Sequence, residues 1–155
     1  MFTLSDDQRA LQEAARAAAQ SILAGTLKED DEAERFRKDQ FEALGDAGLC
    51  GIPTAERFGG LGLGYLEYAL VLEEIARVSA SYAVTVAVNG LPQIILAQYG
   101  DDAQRERWMP GLASGKLLGA FALSEPGSGS DAASLTTTAK REGDEWVLNG
   151  TKIWI

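Results

Sequence analysis

Near Gly115 the spacing of apolar residues changes character, and the change rules out a chain built from one kind of element throughout. Before it, apolar residues recur at intervals of three and four, the period of helices buried on one face. After it come short runs, turn residues and β-branched side chains, the signature of strands. The expected architecture is a mainly α N-terminal domain over residues 1–116, followed by the first strands of a β-domain over residues 117–155.

Within the helical part, Ser5 and Gln8 have the spacing of a capping box. Leu4, Leu11, Ala15, Ala18 and Ile22 then fall on one stripe, and Gly25 can end that helix. The charged stretch 28–37 reads as a solvated loop or turn. A short helix is expected around residues 40–47, with Gly48 at its left-handed end. A flexible loop, Gly59 to Gly64, feeds a helix whose core stripe is Tyr65, Tyr68, Ala69, Leu72, Ile75 and Ala76. Glu67, Glu73, Glu74 and Arg77 should face water or neighbours there. Residues 82–99 are apolar nearly all round, as suits a helix inside a bundle, and Pro92 should kink or interrupt it. A last helix starts at Asp101 and Asp102, contains Trp108 and is closed by Pro110-Gly111.

In the β part, Leu117–Leu123 is a short apolar run, and Thr136–Thr138 and Trp146–Leu148 favour strands. Gly143-Asp144 is a turn, and Asn149-Gly150 is a hairpin signal whose partner strand begins at Lys152. A strand cut in mid-run leaves an open edge, and the residues after 116 are too few to close a barrel. The expectation is a truncated chain, a fragment of something longer.

Composition removes whole classes of function. No histidine occurs among the 155 residues, which excludes Ser-His-Asp and Cys-His triads and most transition-metal sites, so no metal is expected. A net charge of −9 argues against a nucleic-acid partner, which needs a basic face. Cys50 is the lone cysteine and reads as a buried residue of a reducing compartment. The segment Met1 to Asp7 lacks a basic n-region and an apolar h-region, so no signal or transit peptide is expected and a cytoplasmic, bacterial-type location is. No apolar run reads as long enough to span a bilayer.

The most informative stretch is Phe121-Ala122-Leu123-Ser124-Glu125-Pro126-Gly127-Ser128-Gly129-Ser130-Asp131. Gly127, Gly129 and Ala132 fit a variant dinucleotide fingerprint. That fingerprint needs a helix after it, and the threonine-rich segment downstream argues against one. Two readings of the residues remain: a surface loop of turn formers, or a loop whose amides and hydroxyls approach a polar ligand ring.

This stretch resembles the acyl-CoA dehydrogenase signature, an aromatic-x-x-Thr/Ser-Glu-Pro-Gly-x-Gly-Ser-Asp string. Asn149-Gly150-Thr151-Lys152-Ile153-Trp154-Ile155, Phe58-Gly59-Gly60-Leu61-Gly62 and Leu72-Glu73-Glu74-Ile75-Ala76-Arg77 resemble three further strings of that family, in its order and spacing. The departures are Ala55-Glu56-Arg57-Phe58, where the family often has Pro-Glu-Glu-Tyr/Phe, and Ser124, where many members have Thr.

The resemblance implies an α-helical domain, a β-barrel middle domain and a C-terminal helical bundle, of which this chain holds the first and the start of the second. It implies FAD as cofactor, with Phe121, Leu123, Ser124, Gly129, Ser130, Trp154 and Ile155 as cofactor-binding residues. Main-chain groups near Leu123 and the Ser124 hydroxyl would bond the pyrimidine edge, and Ser130 would also touch the substrate. Glu125 belongs to the loop, and the catalytic base is expected in the absent C-terminal domain, so no residue of this chain is expected to be catalytic. The implied reaction is α,β-dehydrogenation of an acyl-CoA, as in fatty-acid β-oxidation. The implied partners are electron-transfer flavoprotein and further copies of the chain, as a tetramer or dimer. Val84 to Asn89 would floor the acyl pocket. Acyl-CoA oxidases, nitroalkane oxidases and flavin monooxygenases share part of these strings, and a non-enzymatic helical interaction domain is a reading of a different class.

Overall fold

The structure is a computed structural model that describes residues 3–155; Met1 and Phe2, the start of the segment read for a leader, lie outside it. The chain divides into two compact units, Met1–Gly119 and Ala120–Ile155. The first holds α1 (Asp6–Leu23), α2 (Leu27–Glu32), α3 (Lys38–Asp46), α4 (Tyr65–Val78), α5 (Ala80–Tyr99) and α6 (Asp102–Ala113). The second holds β1 (Thr138–Glu142) and β2 (Glu145–Asn149), paired antiparallel.

Helix α1 begins where its sequence said it would. The Gln8 amide donates to the Ser5 hydroxyl at 3.1 Å, and the Ser5 amide donates back to the Gln8 side chain at 3.0 Å. Its buried face is Ala15, Ala19 and Leu23, four residues apart, and the two alanines let α4 lie close. The core joins these to Phe41, Leu44, Leu49, Cys50, Ile52, Tyr68, Val71, Ile75, Tyr82 and Val86. Burial pushes the Cys50 thiol up to about 12. A thiol reagent should therefore leave Cys50 untouched until the protein unfolds; prompt titration of one thiol in the native state would contradict this packing.

Several expectations are corrected. The stretch after Gly25 is not a loop, because α2 forms there. Its Asp30 is buried and accepts from the Arg37 guanidinium at 2.6 Å, so the local charges satisfy one another. The Gly59–Gly64 segment is not loose. The Leu61, Gly62 and Leu63 amides donate to the carbonyls of Gly51, Thr54 and Ile52, and a Cβ on Gly60 would lie 2.0 Å from the Thr54 carbonyl.

Neither Pro92 nor Pro110 interrupts its helix. A proline removes only the bond toward the preceding turn, and the Ser114 amide still reaches the Pro110 carbonyl at 3.1 Å. Helix α5 has 20 residues with a mean hydropathy of 1.4, so one run is long and apolar enough to cross a membrane, by length and composition only. One face of it packs into the unit, with Asn89 and Gln93 sealed inside, while Val84, Leu91 and Ile95 lie exposed.

The buried face of α4 is also turned from the expected one. Tyr65 and Ala76 are exposed, and Val71 and Glu74 are buried. Glu74 goes inward because Arg16 of α1 meets it with two nitrogens, at 2.7 and 2.9 Å. These bonds, and the charge behind them, hold the Glu74 carboxyl below its ordinary value of 4.5. A depressed carboxylate contributes its full stability above the unfolded value and loses it as pH falls through the folded one. On acidification below about pH 4.5, the melting temperature of the wild type should fall more than that of Glu74→Gln. Parallel curves in thermal melts would remove this pair from the acid response.

Candidate functional site

In the second unit the candidate loop is shaped by a tight turn. The Glu125 amide donates to the Ser128 carbonyl at 2.9 Å and the Ser128 amide returns a bond to Glu125 at 3.1 Å. Pro126 at the first central position suits such a turn. The Ser128 hydroxyl donates to the Asp131 carbonyl at 2.6 Å. Asp131 then caps one turn of 3₁₀ helix, Ala132–Ser134, through the Ala133 amide. No α-helix follows the glycines, so the dinucleotide fingerprint lacks the helix terminus it needs.

The side chain of Glu125 is the centre of this unit. Its Oε2 accepts from the Thr136 amide at 2.7 Å and the Thr136 hydroxyl at 2.8 Å; its Oε1 accepts from the Thr137 amide at 3.0 Å and Lys152 Nζ at 2.9 Å. Lys152 also donates to the Leu123 carbonyl at 2.9 Å, and the Ile153 amide to the Ser124 carbonyl at 2.9 Å. The Thr137 side chain beside it, the Lys152 ammonium and the Thr136 amide hold the Glu125 carboxyl far below the usual carboxylate range. The Thr137 hydroxyl has no hydrogen-bond partner of its own, so the firm contacts of Glu125 are the two amides, the Thr136 hydroxyl and the ammonium.

These contacts correct the strand expectations. Thr136 and Thr137 lie outside β1 because their amides are spent on Glu125. Asn149-Gly150 turns no hairpin: Asn149 pairs with Thr138, and residues 150–155 form no strand. The run 117–123 is not a strand either.

The expected site residues fall into two groups. Leu123 and Ser124 are half-buried and joined to the Lys152–Ile153 segment, which brings the loop beside the stretch that carries Trp154. Phe121, Gly129, Ser130, Trp154 and Ile155 are exposed; Trp154 is 91% exposed at a left-handed φ of 63°. Sequence reasoning left Glu125 without a role in the site and missed Lys152, Thr136 and Thr137. Nothing in local spacing links residues 125 and 152.

The loop fits a flat, polar, uncharged ring. A Cβ on Gly127 or Gly129 would meet nothing within 4 Å, and neither residue has a left-handed φ. Neither backbone shape nor packing within this chain requires glycine there, and the space over both residues is open to close approach by a group outside it. The hydroxyls of Ser124 and Ser130 enter none of the hydrogen bonds among the described residues. The loop offers no free cation for a pyrophosphate, since Lys152 is committed to Glu125.

The helical unit has a hollow of about 290 Å³ lined by Leu27, Asp30, Phe36 and Tyr82, among others. Two of its polar groups serve Arg37: Asp30 Oδ2 accepts from the guanidinium, and the Tyr82 hydroxyl accepts from the Arg37 amide at 3.1 Å, while Asp30 Oδ1 has no hydrogen-bond partner among the described residues.

A helical unit leads into a β-unit with open glycines and unspent hydroxyls at its entry loop, a chain of mixed architecture. Residues 5–116 match the acyl-CoA dehydrogenase N-terminal domain and residues 120–155 the acyl-CoA dehydrogenase middle domain, so the chain belongs to the acyl-CoA dehydrogenase family. It is 40% identical over 153 residues to the short-chain specific acyl-CoA dehydrogenase, mitochondrial, of Homo sapiens, covering 98% of this chain and 37% of that protein. Butyryl-CoA dehydrogenase from Megasphaera elsdenii superposes with a TM-score of 0.88 at 34% identity, over 99% of this chain and 41% of that one. A structure of PigA with FAD and proline gives 0.91 at 26% identity, over 99% and 41%. The chain thus spans well under half the length of these relatives.

Proposed function

We propose that this chain is part of an FAD-dependent enzyme that oxidises the Cα–Cβ bond of an acyl-CoA thioester. The observation that carries the reading is the Leu123–Ser130 loop, with open glycines and free hydroxyls, tied to the segment bearing Trp154. FAD, when bound, supplies the acceptor that takes the β-hydrogen as hydride while a base removes the α-proton.

The chain's own residues bind and orient. Ser124 and the neighbouring main chain hold the edge of the ring, Phe121, Gly129, Trp154 and Ile155 border it, and Ser130 stands where cofactor and substrate meet. The acyl tail is assigned to one face of α5. Val84, Val88, Leu91 and Ile95 follow the spacing of a single helical stripe, and none is buried. Asn89 is removed from that face, because its amide is sealed inside the unit. Glu125 is no base: every lone pair of its carboxylate is engaged and it stays ionised, so it takes up a proton poorly. We assign no catalytic acid or base to this chain. Electron-transfer flavoprotein as acceptor, a tetramer or dimer, and a cytoplasmic location complete the proposal.

The test is to purify the protein at its natural length, measure bound FAD, and add a panel of acyl-CoAs without oxygen. Bleaching of a yellow protein by at least one acyl-CoA is expected; a colourless protein that takes up no FAD would sink the reading. The likeness to PigA, solved with FAD and proline, favours one second reading, a flavoenzyme of the same fold acting on another substrate or using oxygen. Oxygen consumption during turnover would separate an oxidase or monooxygenase from a dehydrogenase.

A further inference from the structure

We infer that Glu125 and Lys152 are positioning residues, an ion pair of a buried carboxylate and a half-buried ammonium that fixes how the Leu123–Ser124 backbone and the Ser124 hydroxyl are presented to the flavin ring. The assignment rests on the flavin reading above.

Two observations carry it. First, Glu125 and Ser128 are the only buried residues of the second unit among those described, and both are polar. This unit has no apolar core within the chain to hold its loop in shape. Second, the pair joins three stretches distant in sequence. The Glu125 carboxylate gathers four donors, from Thr136, Thr137 and Lys152. The Lys152 ammonium spends a second proton on the Leu123 carbonyl. The Ile153 amide, one residue on, takes the Ser124 carbonyl.

The carbonyls of Leu123 and Ser124 are thus both turned to the 152–153 segment, while the Ser124 hydroxyl remains unspent. A carboxylate with all four acceptor positions engaged in this way specifies one arrangement and is costly to leave half-made. The same contacts place Trp154 two residues beyond the ammonium. One carboxylate and one ammonium therefore set both walls of the candidate site, without touching the cofactor themselves.

The test uses the protein at its natural length. Glu125→Gln, Lys152→Met and their combination are compared with wild type in three measurements: the rate of FAD loss, the visible spectrum and midpoint potential of the flavin still bound, and thermal stability. Each single variant should lose FAD at least about tenfold faster, the worth of one charge-assisted hydrogen bond. Its remaining flavin should show a displaced spectrum and potential. The double variant should fall short of the product of the two single effects, because the partners act through each other.

Variants that merely melt earlier, with unchanged flavin spectrum and potential, would show structural support only and overturn the assignment, leaving the flavin reading intact. A wild type that takes up no FAD would remove the reading and the assignment together. Should the single variants fail to fold, Thr136→Val decides. It deletes one bond to Glu125 at an exposed position. It should speed FAD loss about two- to fivefold with a displaced spectrum, as expected for one lost bond, and a wild-type result in both would overturn the proposal.

Discussion

Phe41→Ala should cost about 3–5 kcal/mol of stability, which is a large part of the roughly 5–15 kcal/mol a domain possesses. Phe41 is fully buried and heads the largest fully buried side chains of the helical unit. Around it stand Leu44, Cys50 and Ile52, the Phe36 ring with its centroid 6.2 Å away, and the C-terminus of α6. That surrounding is too rigid to collapse into the void. A Cβ on Gly45 would already lie 2.1 Å from the Ser114 carbonyl oxygen, so α3 cannot slide further toward α6. The cavity persists, and its cost adds to the lost transfer energy of the ring. Urea unfolding of the natural-length protein and the variant measures the difference. A loss under about 1 kcal/mol would mean that α3 repacks and that this interior is not the rigid one described.

What was legible in the sequence follows a physical rule. Contacts that close within one helical turn were read correctly: the Ser5–Gln8 box, the helix start at Asp101 and Asp102, the left-handed Gly48 and the turn at Gly143. Contacts that close across long stretches were not. Glu74 was expected to face water or neighbours, and which of the two was not legible because its partner Arg16 lies on another helix. The charged stretch beginning at Lys28 is a different case: its pairing of Asp30 with Arg35 and Arg37 is local, but α2 there carries no apolar period by which to read a helix.

The candidate loop was legible as a string, through its glycines and serines, but the reason for its shape was not. Composition gives no sign that Glu125 and Lys152 meet. The threonines ahead of β1 looked like strand formers, and two of them instead serve the Glu125 carboxylate. Asn149-Gly150 carried a hairpin signal, but Asn149 pairs with Thr138 of β1, and Lys152 and Ile153 bond the Leu123 and Ser124 carbonyls instead.

Asn89→Leu should cost about 2–5 kcal/mol, the sum of two backbone groups left unpaired. The Asn89 side chain is fully buried. Its amide donates to the Leu112 carbonyl at 2.9 Å, and its oxygen accepts from the Gly119 amide at 2.7 Å. It therefore ties the end of α6 and the segment after it to the middle of α5. Leucine keeps the branched four-heavy-atom shape and is the larger side chain, so no cavity forms and the loss reports the missing hydrogen bonds together with some overpacking. One turn along, Gln93 donates to the Cys50 carbonyl at 3.0 Å and the Asn89 carbonyl at 3.1 Å, and accepts from the Thr54 hydroxyl. Because the two amides share a strip of one helix, Asn89→Leu and Gln93→Leu together should not add; a coupling of about 0.5–3 kcal/mol is expected in denaturant titrations. These amides also explain why α5 belongs in a protein interior despite its hydropathy: in lipid they would have no partners, whereas here each finds a backbone group from another segment. Strict additivity, or a combined loss under about 1 kcal/mol, would show that water reaches these groups and that α5 is held by its apolar side chains alone.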